Sequence, residues 1–236
     1  VILKNNKIPL YELVKPLMEP IIPCSIGAYC IDNSTSYKDG YEHIAFWNEL
    51  FTIDKPSLVI RRLSEFGILK YVLPDLENAR NHVQNKSKSD NLFTHTLQVI
   101  DLVFGVDIRW AALFHDLGKM YTLLNRKHAI RSEEVYKRYI YVCTKDKYRI
   151  DNLNIICDLI KFHMLPYSFY QWTYEYAINF IKMGHCKKIV QLAIADKASS
   201  NPQYVGMFDD LFEICDYSNF QDRLNALNSF YKRIGK

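Results

Sequence analysis

The sequence predicts an all-α protein, and three observations carry that expectation. Apolar residues recur three and four positions apart through most of the chain, the period of a helix with one buried face. Eight glycines and eight prolines in 236 residues are too few for a turn-rich sheet protein. A composition 49% hydrophobic and 14% aromatic supplies an ordered core, either one large domain or a domain with an added helical layer.

Residues 1–33 are punctuated by Pro9, Pro16, Pro20 and Pro23, which leaves room for one short helix from Leu10 to Met18. A polar loop follows around Asp32–Ser36 and Lys38–Gly40. Tyr41 to Thr52 reads as a helix. Pro56 suits the first turn of the next, whose Leu58, Val59, Leu63 and Phe66 keep helical spacing up to Gly67. A short helix runs to Leu73, before Pro74. Asn78 to Asp90 reads as a mobile loop in which His82 is simply solvated.

From Leu92 the pattern tightens. Phe93, Leu97, Ile100 and Phe104 mark one face and His95, Val99 and Leu102 another, so this helix is expected to be buried on two sides until Gly105 stops it. Helices are expected at Ile108–Leu117, His128–Cys143 and Asp151–His163, with a connection from Met120 to Lys127. Tyr170, Trp172, Tyr174 and Tyr176 read as a core or interface stripe rather than a base-stacking platform. His185 reads as a helix C-terminal residue, and Ile189–Ser199 as a helix. Two terminal helices are lined by Tyr204, Phe208, Leu211 and Cys215, and by Phe220, Leu224, Leu227, Tyr231 and Ile234.

The net charge of +4 permits a phosphate-bearing or RNA partner without demanding one. Six cysteines form no Cys-x-x-Cys pair and read as free thiols in a reducing compartment. No apolar run approaches the roughly 20 residues of a membrane span, and no secretory signal pattern is visible. A cytoplasmic protein with no membrane partner is the expectation.

The chemistry centres on Ala111–Lys119, where an apolar helical run ends on His115-Asp116 and breaks at Gly118-Lys119. Adjacent helix residues point about 100° apart, so this pair can converge on one ion only from an edge that faces other ligands. His95, His128, His163 and Asp196 are those candidates, each tied to an apolar helical pattern. Asp196 lies in Val190–Asp196, a segment greasy enough to bury it, and a carboxylate there is costly unless paired or metal-bound. Imidazole with carboxylate suits zinc, manganese, nickel, cobalt or iron. The bland alternative is a coincidental set of satisfied core polar residues. His43, His82 and His185 have no such support.

The ordered set His95, His115-Asp116 in a His-Asp-x-Gly-Lys setting, and a late Asp196 resembles the HD superfamily of metal-dependent phosphohydrolases. Arg62–Leu69 leading to Leu73–Leu76, Phe93–Leu97 and Leu192–Asp196 are similar to the HD region of bacterial tRNA nucleotidyltransferases, over roughly residues 56 to 200. The resemblance implies an HD helical bundle at 56–200, a partly irregular accessory segment at 1–55, and a helical pair at 201–236 packed on the body or on a second subunit. It implies His95, His115, Asp116 and Asp196 as ligands of one divalent ion (Mn, Ni, Co, Fe, Mg or Zn). His128 and His163 would either hold a second ion, with Asp116 bridging, or contact substrate phosphate. Asp116, Asp196 and Lys119 would be catalytic, with Asp196 orienting or deprotonating water and Lys119 and Arg126 meeting the phosphate.

The implied activity is hydrolysis of nucleotide or RNA-end phosphoesters, as a 2′,3′-cyclic phosphodiesterase, a phosphatase or both, on a phosphorylated nucleotide or an RNA 3′ end. Rival substrates are a free nucleotide, a dinucleoside polyphosphate or a cyclic dinucleotide. A non-catalytic RNA-binding or homo-oligomerising module is the alternative outside enzymology. With no glycine-rich phosphate cradle and no Asp-x-Asp pair in the early region, nucleotide addition is not expected.

Overall fold

A computed structural model describes residues 40–83, 91–122, 127–144 and 152–235. The helix expected at Leu10–Met18, Arg126, Cys24 and Cys30 lie outside the described residues. The described residues are helical and contain no strand, and an isolated antiparallel bridge joins Val83 to Asn91.

The first helices build a wall. Helix α1 (Gly40–Leu50) is followed by α2 (Pro56–Glu65), which opens on a proline as its first residue. Its N-terminal donors are satisfied from a distance: Asp101 accepts from Ser57 N (3.1 Å) and Ser57 Oγ (2.5 Å). Gly67, at φ +67°, ends the run in the left-handed conformation that glycine adopts freely. Short helices α3 (Leu69–Val72) and α4 (Pro74–Asn78) follow, with a 3-10 turn at Ala79–Asn81, so Asn78 to Asn81 is ordered rather than loop.

Helix α5 (Leu92–Leu102) is capped by Asn91, whose Oδ1 accepts from Thr94 N at 2.8 Å. Both expected faces are buried, Phe93, Leu97 and Ile100 on one and His95 and Val99 on the other, whereas Leu102, 48% exposed, and Phe104, 77% exposed, do not continue them. The chain turns extended at Val103, and the residues beyond no longer share the helix's inner face.

Helix α6 (Val106–Phe114) is three residues shorter at its end than the periodicity suggests. His115 is its C-cap, and Leu117–Tyr121 continues as a 3-10 helix. Helices α7 (His128–Thr144) and α8 (Leu153–Phe162) pack against each other, and α6 lies on α8. A 3-10 segment, Leu165–Gln171, leads to α9 (Tyr174–Ile181). Helix α10 (Cys186–Ser200) packs across α5. His185 is its N-cap rather than the end of the preceding helix, and pairs with Asp158 at 3.2 Å.

Tyr204 is exposed, because Pro202–Phe208 forms a 3-10 segment before α11 (Asp209–Asp216); the expected single helix through Tyr204 and Cys215 is two elements. Helix α12 (Phe220–Arg233), capped by Asn219, packs on α9 and α11. In the aromatic stretch Trp172 is core, whereas Tyr170, Tyr174 and Tyr176 are exposed.

An aromatic cluster ties α1 to α6 and α7. Trp110 stands 6.1 Å from Trp47 and 5.4 Å from Phe51 between ring centroids, and Phe114 stands 5.1 Å from Tyr136. Trp47 Nε1 donates to Tyr139 OH at 2.8 Å, so its burial leaves no orphan donor. Buried Arg109 closes the same corner by donating to the carbonyl oxygens of Val103, Phe51, Ile53 and Asp54 at 2.5–3.1 Å. Those contacts fix α6, and α6 delivers His115 and Asp116.

Candidate metal centre

The break after Phe114 is what lets two adjacent residues face one point. His115 keeps helical dihedrals, with its N–H bonded to Ala111 O, while Asp116 shifts to φ −115°, ψ −5° as the 3-10 helix begins. Gly118 is needed immediately after. A Cβ there would stand 2.2 Å from the carbonyl oxygen of His128 and 2.4 Å from Ser132 N, so only glycine lets this turn touch the start of α7. Gly118 N–H donates to the buried Ser132 Oγ at 2.9 Å and locks the contact.

The six predicted ligands converge. His95 Nε2 lies 3.1 Å from Asp196 Oδ1, 3.3 Å from Asp116 Oδ2 and 3.3 Å from His115 Nε2. His115 Nε2 is 3.4 Å from Asp116 Oδ2 and 3.8 Å from Asp196 Oδ1. On the other side of the same carboxylate, Asp116 Oδ1 lies 3.2 Å from His128 Nε2 and 3.9 Å from His163 Nε2, and those two nitrogens are 3.4 Å apart. Asp116 thus presents one oxygen to a four-residue group and the other to a three-residue group, with ligand atoms in each group within 4.8 Å of one another.

These spacings could accommodate a divalent metal ion. Two donors bound to one ion at about 2.1 Å lie roughly 3.4 Å apart in a tetrahedron and roughly 3 Å apart at adjacent octahedral positions. The tautomers agree. His115 Nδ1 faces Ala112 O (2.8 Å) and His163 Nδ1 faces Ile160 O (2.7 Å). A carbonyl only accepts, so each Nδ1 carries a hydrogen, and each Nε2 would turn a lone pair inward once its ring is neutral. Ser199 Oγ donates to Asp196 O at 2.7 Å, so its contact with His95 Nδ1 at 3.0 Å assigns a hydrogen to that nitrogen and leaves His95 Nε2 to face the carboxylates of Asp116 and Asp196. In their neutral form these imidazoles turn acceptor nitrogens toward the carboxylates of the cluster, the form in which they could ligate a cation.

Electrostatics point the same way. Burial opposes a charge on His115, but the carboxylates of Asp116 and Asp196 outweigh it and push its pKa up to about 10. His95 is raised too, with burial again overcome by Asp116 and Asp196. Asp116 is held well below the ordinary carboxylate range: burial works against this, and His115 and Lys119 prevail. Asp196 is lowered in the same manner by His115 and His95. His163 moves the other way, to about 4, from burial and the neighbouring charge of His115. In the metal-free cluster a proton on His115 therefore stands where a cation would balance two carboxylates.

Lys119 Nζ ion-pairs with Asp116 Oδ2 at 2.5 Å, and its side chain, 28% exposed, is the most open of the group. Asp196 is less buried than expected, with 13% of its side chain exposed against 1% for Asp116. His82 and His185 lie outside the cluster's residue groups, as expected. Two side chains that touch it were not singled out from sequence. Tyr167 OH donates to Asp196 Oδ2 at 2.8 Å, and Ser199 braces His95 as described. Ser199 stands one helical turn after Asp196, a spacing that could have flagged it; Tyr167 sits in a 3-10 segment with no periodic signal.

Fold and site together define an all-α protein with a buried His/Asp cluster at divalent-metal spacing. No protein-family profile matches the chain, and no curated protein is significantly similar to it. No described helix is long and apolar enough to cross a membrane.

Proposed function

We propose that this chain is a metal-dependent phosphohydrolase of the HD type acting on nucleotide or RNA-end phosphoesters, first of all 2′,3′-cyclic phosphates. The observation that carries the reading is Asp116, one carboxylate divided between two groups of inward-facing imidazole nitrogens. His95, His115, Asp116 and Asp196 would hold one divalent ion; Asp116, His128 and His163 would hold a second. An ion bound there supplies Lewis acidity, polarising a phosphoryl oxygen and acidifying a water molecule.

The protein's own groups do the rest. With neutral imidazoles, two carboxylates against the single ammonium of Lys119 leave the cluster one negative charge in excess, which favours cations. Once loaded, the same cluster carries net positive charge and attracts an anionic ester. Lys119, anchored near the cluster yet partly open to solvent, is placed to meet a phosphoryl oxygen as charge develops on it. Asp196 Oδ1 faces the imidazoles and can take a proton from, or orient, the attacking water. The resemblance in the order and setting of His95, His115-Asp116, Lys119 and Asp196 supports the substrate class.

The test is a panel of phosphoesters with Mn2+, Ni2+, Co2+ and Mg2+: 2′,3′-cyclic nucleotides, nucleoside monophosphates, dinucleoside polyphosphates and cyclic dinucleotides. Metal-dependent turnover of the 2′,3′-cyclic esters, lost in Asp116→Asn, is the expected result. Turnover confined to another ester moves the substrate and keeps the site. No turnover of any ester, with RNA binding intact in His115→Ala and Asp116→Ala, contradicts the reading and favours a non-catalytic RNA-binding module.

A further inference from the structure

We infer that Tyr167 is a positioning residue that holds Asp196 with a single oxygen turned toward the imidazoles. The inference rests on the reading of the cluster as a metal site and adds a residue outside the ligand set. Asp196 lies on α10 at a position partly open to solvent, and nothing in its own helix fixes how its carboxylate is turned. Tyr167, from the 3-10 segment Leu165–Gln171, does so: its O–H donates to Asp196 Oδ2 at 2.8 Å, while Oδ1 faces His95 Nε2 at 3.1 Å. A carboxylate oxygen that accepts a strong hydrogen bond is a poorer second donor to a cation, so Asp196 would serve a bound ion through Oδ1 alone.

The phenol is held in place by its ring. Tyr167 stands edge-on to the fully buried Phe208, at 5.1 Å between centroids and 88° between planes, and the Lys197 ammonium lies 5.8 Å from the ring centroid on another side. Tyr167 thus links the 202–208 segment to a ligand of the cluster, through one hydroxyl. Removing that hydroxyl leaves the ring packing intact, which makes Tyr167→Phe a clean probe.

The experiment uses the full chain stripped with a chelator and titrated with Co2+ as the probe metal, followed by its visible absorption. Tyr167→Phe is expected to bind Co2+ about 10- to 100-fold more weakly than wild type, the usual effect of losing a hydrogen bond to a ligand. Its absorption band should lose intensity, because Asp196 can then offer both oxygens. With a phosphoester substrate, kcat should fall while KM stays within about twofold. Tyr167→Leu, which also deletes the ring, should match the Co2+ spectrum of Tyr167→Phe and in addition melt earlier. A Tyr167→Phe protein with wild-type Co2+ affinity and spectrum overturns the inference and leaves the metal site standing. A wild-type protein that takes up no Co2+ overturns both.

Discussion

Asp116 and His128 meet across a distance of 3.2 Å, between Oδ1 and Nε2, while the other oxygen of the same carboxylate stands 3.3 Å from His95 Nε2. One side chain at a helix break thereby joins α5, α7 and the three-residue group that ends at His163. Asp116→Asn should weaken both groups at once and reduce metal-dependent turnover about a thousandfold or more, since Lewis-acid stabilisation amounts to several kcal/mol and each 1.36 kcal/mol is tenfold. His163→Ala should be milder, leaving the four-residue group and one bound ion by Mn2+ calorimetry. Equal losses in the two variants would show that the groups do not act as separate ion sites.

Proton and metal compete at His115. In chelated protein its pKa is raised from 6.5 to about 10, so the pairing with Asp116 and Asp196 stabilises the fold fully below pH 6.5 and fades as pH rises through about 10. Metal binding has the opposite sign, because the proton must leave. Affinity should rise about tenfold per pH unit between roughly pH 7 and 9, with proton release visible as buffer-dependent heat. His163, at about 4, is already neutral in that window and adds no proton. An affinity independent of pH there would contradict the assignment.

Gly118→Ala tests the close approach that sets the two groups side by side. The new methyl would meet the His128 carbonyl and Ser132 N at distances no Cβ tolerates, so the turn and α7 must part. A stability loss of about 1–3 kcal/mol in urea unfolding is expected, together with weaker Mn2+ binding at neutral pH. An alanine variant with unchanged stability and affinity would mean the contact does not position the ligands.

Arg109→Met probes support far from the cluster. Its four carbonyl acceptors would lose a buried partner, and an unsatisfied buried group costs about 1–3 kcal/mol. Urea unfolding should show a loss of about 3 kcal/mol or more, with metal affinity of the folded protein preserved. A stable variant with impaired metal binding would place Arg109 in the site rather than in the scaffold.

The helical class and the residues that cluster were legible in the sequence for a simple reason. Period 3.6 leaves a mark on every amphipathic helix, and His95, His115, Asp116 and Asp196 stand out because polar residues on apolar faces need partners. Helix ends were less legible. Phe104 continues the apolar spacing of α5 yet projects into solvent, because the backbone leaves helical dihedrals at Val103, two residues ahead of Gly105. Helix α6 likewise stops before its apolar spacing does: after the buried Phe114 a 3-10 turn replaces the expected helix and turns Asp116 toward both groups. Tyr167 could not be read at all: its partner is 29 residues away, and no local pattern links a tyrosine in a 3-10 segment to a carboxylate on another helix.

Elemental analysis of protein purified without chelator, wild type beside Asp116→Ala, measures the cluster's capacity for metal directly. About two divalent ions per chain are expected in the wild type and essentially none in the variant. A wild-type chain holding no more metal than Asp116→Ala would contradict the metal-site reading.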